Sequence, residues 1–184
     1  MERKREPELM TEAEQVAAYG SADFEAPHSY FINLLLERRP EGKDVTRALD
    51  LGCGAGDIAF RVAAAFPDAV VDAVEGSAEM LKFAAGLLEQ KPALSGRVKL
   101  IRRMVGEFET EARYGLITSN SLLHHLPDPI VFWDSVKRLS SPGTFLFVMD
   151  LLRPENKEEA KRLTALYASS EPEILQRDFY NSLL

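Results

Sequence analysis

Residues 48–57, Ala-Leu-Asp-Leu-Gly-Cys-Gly-Ala-Gly-Asp, constrain this chain more than any other stretch, because an apolar strand runs straight into three alternate glycines. Glycine is needed where the backbone turns with positive φ, or where a Cβ would block a ligand from main-chain N–H groups. Gly52, Gly54 and Gly56 therefore predict a turn at the strand end that holds a nucleotide-bearing ligand against backbone. The spacing also separates two kinds of ligand. The dinucleotide fingerprint G-x-G-x-x-G places its third glycine one position later, and that position is Asp57. The misfit argues against NAD.

A second strand should end in an acidic residue if the glycine turn serves a nucleoside. Residues 69–74, Ala-Val-Val-Asp-Ala-Val, read as a short buried strand, and Glu75 follows 19 positions after Gly56. That is close to the roughly 20-residue spacing at which a carboxylate grips ribose hydroxyls. Two hydrogen bonds from a vicinal diol to one carboxylate are charge-assisted and strong. Gly76 to Leu81 then opens a helix with Ser77 as its N-cap. A third constellation spans Tyr114 to Asp128, a strand ending at Asn120 and Ser121 and a loop reading Leu123-His124-His125-Leu126-Pro127-Asp128.

Asp50 followed by the alternate glycines resembles motif I of the class I S-adenosylmethionine (SAM)-dependent methyltransferases, and the histidine loop resembles the one after that family's fourth strand. Within that family the sequence resembles the broad ubiquinone/menaquinone-biosynthesis-like group. From about residue 47 to 150 the order of elements matches. The resemblance implies an α/β fold, a Rossmann-like doubly wound sheet of about five parallel strands in the order 3-2-1-4-5 flanked by helices. It implies SAM as cofactor and S-adenosyl-L-homocysteine as product. Asp50, Gly52, Cys53, Gly54, Gly56, Glu75, Gly76 and Met80 become cofactor contacts, with Asn120 and Ser121 near the methionine part. Many relatives carry an acidic residue after strand three for the adenine amino group. Here that place reads Arg102-Arg103-Met104-Val105, so either the backbone at Met104 and Val105 meets the ring or Glu107 substitutes.

Methyl transfer from a sulfonium is an in-line displacement whose hard chemistry the cofactor carries. The protein has to bind it, align a nucleophile and exclude water. A general base helps only where the nucleophile loses a proton as it attacks, and His124 and His125 are the candidates. No metal site is expected, because adjacent histidines seldom converge with Asp128 on one ion.

The flanks divide the chain. Residues 1–46 form an N-terminal helical lid segment, residues 47–150 the SAM-binding Rossmann-like core and residues 151–184 C-terminal helices. Residues 1–8 are charged and expected to be disordered. Helices are expected over Thr11 to Tyr19 and Ala26 to Arg38, and the family places such helices over the cofactor. Tyr19, Phe24, His28 and Tyr30 are the substrate or lid candidates. After Asp150 the sequence reads as helix only, so the family's strand six and seven pair is missing and the chain is expected to be short at its C-terminus. Strand five would then be an edge, a liability that proteins cover. The terminal helices or a second copy, forming a homodimer, are expected to cover it.

A formal charge of −7, from 22 basic and 29 acidic side chains, gives no footprint for a nucleic-acid backbone. The local cluster Arg97, Lys99, Arg102 and Arg103 reads as a solvated edge. No apolar run reaches the roughly 18 residues of a membrane helix, and the charged start is unlike a signal peptide. One cysteine, Cys53, suits a reducing cytoplasm. The reading is a methyltransferase acting on a small molecule, with no nucleic-acid or membrane partner. The alternative is a SAM- or S-adenosylhomocysteine-binding module inactivated by loss of its terminal strands.

Overall fold

A computed structural model describes residues 9–42 and 44–184; the disorder expected of residues 1–8 lies outside the described residues. Five strands form one sheet: β1 (Arg47–Leu51), β2 (Val70–Glu75), β3 (Val98–Arg102), β4 (Tyr114–Asn120) and β5 (Ser140–Met149). All neighbours run parallel, in the order β3-β2-β1-β4-β5. This is the Rossmann-like arrangement read from the sequence. The near-continuous apolar character of β1 and β2 follows from it, since parallel strands in such a sheet are covered on both faces.

Among the described residues eight α-helices flank the sheet: α1 (Ala13–Ser21), α2 (Glu25–Arg38), α3 (Asp57–Ala65), α4 (Ala78–Glu89), α5 (Pro92–Ser95), α6 (Ile130–Leu139), α7 (Lys157–Tyr167) and α8 (Glu173–Ser182). Successive strand residues point to opposite faces, and β1 shows the consequence. Ala48 joins a core with Phe31 and Leu35 of α2, Ile58 and Val62 of α3, and Ala84 of α4. Leu49 and Leu51 join the other, with Phe132, Val136 and Leu139 of α6. Each fully buried leucine in these layers contributes about 1.5–3 kcal/mol. A polar pin crosses the sheet as well: Arg47 Nη2 and Tyr114 Oη both donate to Asp72 Oδ2, at 2.8 and 2.7 Å.

The helix α6 starts at Ile130, with Asp128 Oδ1 accepting the Ile130 N–H at 2.9 Å. Two sequence expectations change. Arg97 is not part of an external basic patch, because its Nη1 donates to the carbonyls of Ala63, Phe66 and Ala69, tying the end of α3 to the start of β2. The terminal helices also sit elsewhere than expected. Ala160, Leu163, Phe179, Leu183 and Leu184 gather with Leu151 just past the end of β5, and Gln15 of α1 donates to Asp178 of α8 at 2.6 Å. Thus α7 and α8 pack on each other, and α8 on α1, rather than along β5. The faces of β5 are covered, Phe147 by Phe31 of α2 at 4.9 Å between ring centroids and Leu146 and Val148 by the α6 layer. Its far edge carries no strand among the described residues.

Candidate active site

The carboxyl ends of β1, β2 and β4 open into a cavity of about 330 Å³, at the position where ligands of open α/β sheets bind. Leaving β1, the chain turns through Gly52, Gly54 and Gly56, with φ of 72°, 51° and 90°. The Gly52 and Cys53 N–H groups both donate to Val74 carbonyl, at 2.9 and 3.0 Å, which ties the turn to β2. Gly54 has open space where a Cβ would stand, whereas one at Gly56 would meet the Phe60 ring at 2.6 Å. Gly54 is therefore the point of closest approach to the cavity, and Gly56 lets the chain start α3.

Glu75 lies across this turn. Its Oε2 accepts the Gly54 N–H at 3.0 Å and its Oε1 the Ser77 N–H at 2.8 Å. Burial raises this carboxyl above the usual carboxylate range, against the hydrogen bonds from Ser77, Gly54 and Gly76. A carboxylate has about four lone-pair sites, so both oxygens keep capacity for a diol. Asp50 stands beneath, 1% exposed. Its Oδ1 accepts the Thr118 hydroxyl at 2.8 Å, while Oδ2 is buried without a partner among the described residues. Burial pushes Asp50 up to about 7, with Thr118 working against the rise and the charge of Glu75 adding to it. A buried oxygen left unmatched costs free energy that a cationic ligand would recover. Cys53 is buried, and burial pushes its thiol well above the ordinary value, so it is a neutral packing group.

Ser121 closes the same end from β4. It holds φ of 56°, uncommon for a residue with a Cβ, and its N–H donates to Met149 carbonyl at 2.9 Å. Backbone held in such a conformation concentrates at ligand sites. Asn120, Gly76, Met80, Met104 and Val105 also line the cavity. Glu107 does not, which leaves Met104 and Val105 as the residues offered after β3.

Side chains from the N-terminal segment also line the cavity. Tyr19 of α1, Phe24 at the N-cap of α2 and His28 of α2 form a continuous aromatic row, with centroid separations of 4.9 and 5.2 Å. Burial, then Glu75 and Asp57, push the Tyr19 hydroxyl up to about 12. His28 Nδ1 lies 2.6 Å from Asp57 Oδ2, which also accepts from Arg61 Nε at 2.6 Å. Tyr30 is 58% exposed and away from the cavity. Helical period explains this: His28, Phe31 and Leu35 share the buried face of α2, and Tyr30 falls outside it.

The two loop histidines separate. His125 lines the cavity and packs against the His124 ring, with centroids 4.1 Å apart. His124 lies outside the lining, its Nδ1 2.6 Å from Asp150 Oδ1, while Asp150 Oδ2 accepts the Leu123 N–H at 2.6 Å. His124 therefore anchors its loop to the end of β5. Sequence reasoning missed Asp57, Glu25 and Arg61, and also Leu9 and Met10, which line the cavity from the chain's described start. Leu9 packs toward Gly76, and the Met10 carbonyl accepts the Ser77 hydroxyl at 2.5 Å. Among the described residues no cluster of three or more His, Cys, Asp or Glu side chains is placed to hold a metal ion, and no helix is long and apolar enough to cross a membrane.

A strand-end glycine turn, a carboxylate after the next strand and a sheet of this order define a methyltransferase-type Rossmann domain. The family profile described as "Methyltransferase domain" matches residues 49–146, more than half of the chain, and the chain belongs to that family. It is 34% identical over 99 residues to the malonyl-[acyl-carrier protein] O-methyltransferase of Halalkalibacterium halodurans, covering 53% of this chain and 36% of that protein. It is 38% identical over 81 residues to the tRNA1(Val) (adenine(37)-N6)-methyltransferase of Pedobacter heparinus, covering 42% of this chain and 32% of that one. The chain thus spans about a third of the length of these relatives. Among solved structures, the plantazolicin methyltransferase BpumL in complex with SAH superposes with a TM-score of 0.59 at 20% identity, over 92% of this chain and 59% of that one. That likeness is one of fold.

Proposed function

We propose that this domain binds S-adenosyl-L-methionine and transfers its methyl group to a small-molecule acceptor, leaving S-adenosyl-L-homocysteine. One observation carries the reading: the unmatched Asp50 Oδ2, the open face of Gly54 and the Glu75 carboxylate meet at one end of one cavity. A nucleoside diol fits Glu75, and an ammonium group fits Asp50. Met104 and Val105 offer an apolar wall and backbone to a base, and Asn120 and Ser121 close the amino-acid end. When bound, the cofactor supplies an electrophilic methyl on a positive sulfur. The chain's residues fix its orientation and, through the aromatic row of Tyr19 and Phe24, keep water from the acceptor.

Within this proposal residues 1–46 act as the lid, 47–150 as the cofactor core and 151–184 as a helical flank. The acidic balance favours a small acceptor over a nucleic acid, and the single cysteine fits the cytoplasm. A second copy would cover the edge of β5, which sedimentation of the purified protein tests directly. The cofactor is tested by calorimetric titration with SAM, S-adenosylhomocysteine and NAD. Binding of the first two but not the third, abolished in Glu75→Ala, is the expected result. Binding of none of them would end the proposal, and transfer of labelled methyl in an acceptor screen tests the reaction itself.

A further inference from the structure

Two histidine–aspartate pairs of closely similar geometry occur among the described residues, and one of them lines the cavity. His28 Nδ1 lies 2.6 Å from Asp57, and His124 Nδ1 lies 2.6 Å from Asp150. An ionised carboxylate only accepts hydrogen bonds, so each pairing places the proton of a neutral ring on Nδ1 and the lone pair on Nε2. The His28 ring, 8% exposed, lines the cavity, and its Nε2 has no protein partner among the described residues. Asp57 stays ionised: burial works to raise its carboxyl, but hydrogen bonds from His28 and Arg61 outweigh burial and hold it below the ordinary value. Arg61 is committed on both sides, to Asp57 through Nε and to Glu25 through Nη2, each at 2.6 Å. It is the one Arg or Lys among the described residues lining the cavity, so no uncommitted guanidinium or ammonium awaits a carboxylate acceptor.

We propose that His28, oriented by Asp57, is the proton acceptor for a phenolic or enolic hydroxyl, and that this is the acceptor class the cavity takes. The proposal deepens the methyl-transfer reading and rests on it. The hydroxyl oxygen forms its bond to the methyl carbon, the carbon–sulfur bond breaks with its electron pair left on sulfur, and the hydroxyl proton passes to Nε2 of His28. A neutral amine attacks through its lone pair and sheds its proton afterwards, and a carboxylate is already ionised; neither needs this base. A phenol titrates near about 10 and imidazole near about 6.5, a gap that a base bridges as the new bond forms. Phe24, stacked on His28 at 5.2 Å, and Tyr19, 4.9 Å from Phe24, set flat aromatic surface beside the base. The charged and titratable groups around His28 are Asp57 and Arg61 of α3, Glu25 of its own helix, Asp23 before it, Tyr19 of α1 and Glu75 across the cavity.

The probe is 4-nitrophenol, titrated over pH in the S-adenosylhomocysteine complex and read by phenolate absorbance. The wild-type complex is expected to bind it and lower its pKa by about one unit relative to free solution, about a tenfold higher phenolate-to-phenol ratio at a given pH. His28→Gln and Asp57→Asn are expected to remove that shift and His124→Gln to keep it. Calorimetry should give S-adenosylhomocysteine affinities within about twofold in wild type, His28→Gln and His124→Gln, as for independent sites. Nitrogen-15 NMR of the wild-type imidazoles, which needs no variant, should show His28 protonated on Nδ1 and bare on Nε2. The proposal is overturned if nitrophenol does not bind the complex, if its ionisation is the same in wild type and His28→Gln, or if the His28 proton sits on Nε2. Failure of wild-type protein to bind S-adenosylhomocysteine would instead remove the methyl-transfer reading beneath it.

Discussion

The two ends of the cavity are made of different material. At the cofactor end the contacts come from chain that is covalently continuous with the central strands: the glycine turn leaves β1, Glu75 ends β2 and Ser121 leaves β4. On the proposed acceptor side Tyr19, Phe24 and His28 come from the segment that precedes the sheet in sequence, whose helices reach it by packing, α1 on α4 and α2 on α3. One end inherits its precision from strand register, the other from side-chain contacts that a few substitutions can rearrange. A shared fold can therefore keep one cofactor while its acceptors diverge.

SAM affinity is the readout that breaks or upholds this contrast. Glu75→Ala is expected to have the largest effect, about 2–4 kcal/mol or roughly 30- to 1000-fold, because two charge-assisted hydrogen bonds to a diol disappear. The same change frees the Gly54 and Ser77 N–H groups, so calorimetry should be paired with a melting curve. Asp50→Asn should weaken SAM by about tenfold, one charge-assisted contact, and yet stabilise the ligand-free protein above neutral pH. The sign follows from a carboxyl pushed up to about 7 in the fold from an unfolded value of about 3.9. Between those values the folded state binds more protons, so stability falls as pH rises through the window. Melting at several pH values should show a decline in wild type that Asn removes, and an unchanged slope would refute the account of Asp50. Phe24→Ala should leave SAM affinity within about twofold while α1 and α2 exchange amide hydrogens faster than β1 and β2. A large affinity loss there would dissolve the distinction between the ends. The smallest effect belongs to His124→Ala, with SAM affinity unchanged and a loss of about 1–3 kcal/mol in stability as Asp150 loses one of its hydrogen-bond partners. Thermal melting measures it, and abolished turnover in a correctly folded variant would return His124 to the chemistry.

The same division decides what could be read from the sequence. Gly52, Gly54, Glu75, Asn120 and Ser121 were legible because a parallel sheet places every strand's carboxyl end at one edge, so finding the strands finds the site. The sheet order followed for the same reason. His28 and Asp57 are 29 positions apart, on a helix and at a strand's exit, and no spacing rule joins such residues. Asp57 entered only as the residue that spoiled a dinucleotide pattern. His28 shares the helical period of Phe31 and Leu35, which separates it from Tyr30 in the sequence itself. The position of α7 and α8 was not legible, because an amphipathic helix states that it has a buried face without stating what buries it.

Asp57 follows Gly56 directly, and it is both the first residue of α3 and the partner of His28. The histidine's carboxylate is therefore one peptide bond from the turn that receives the cofactor. Substitutions that remodel α1 or the outer face of α2 can alter the shape of the acceptor chamber without moving that anchor. For descent with changing substrates, this makes the chain's chemistry heritable separately from its selectivity.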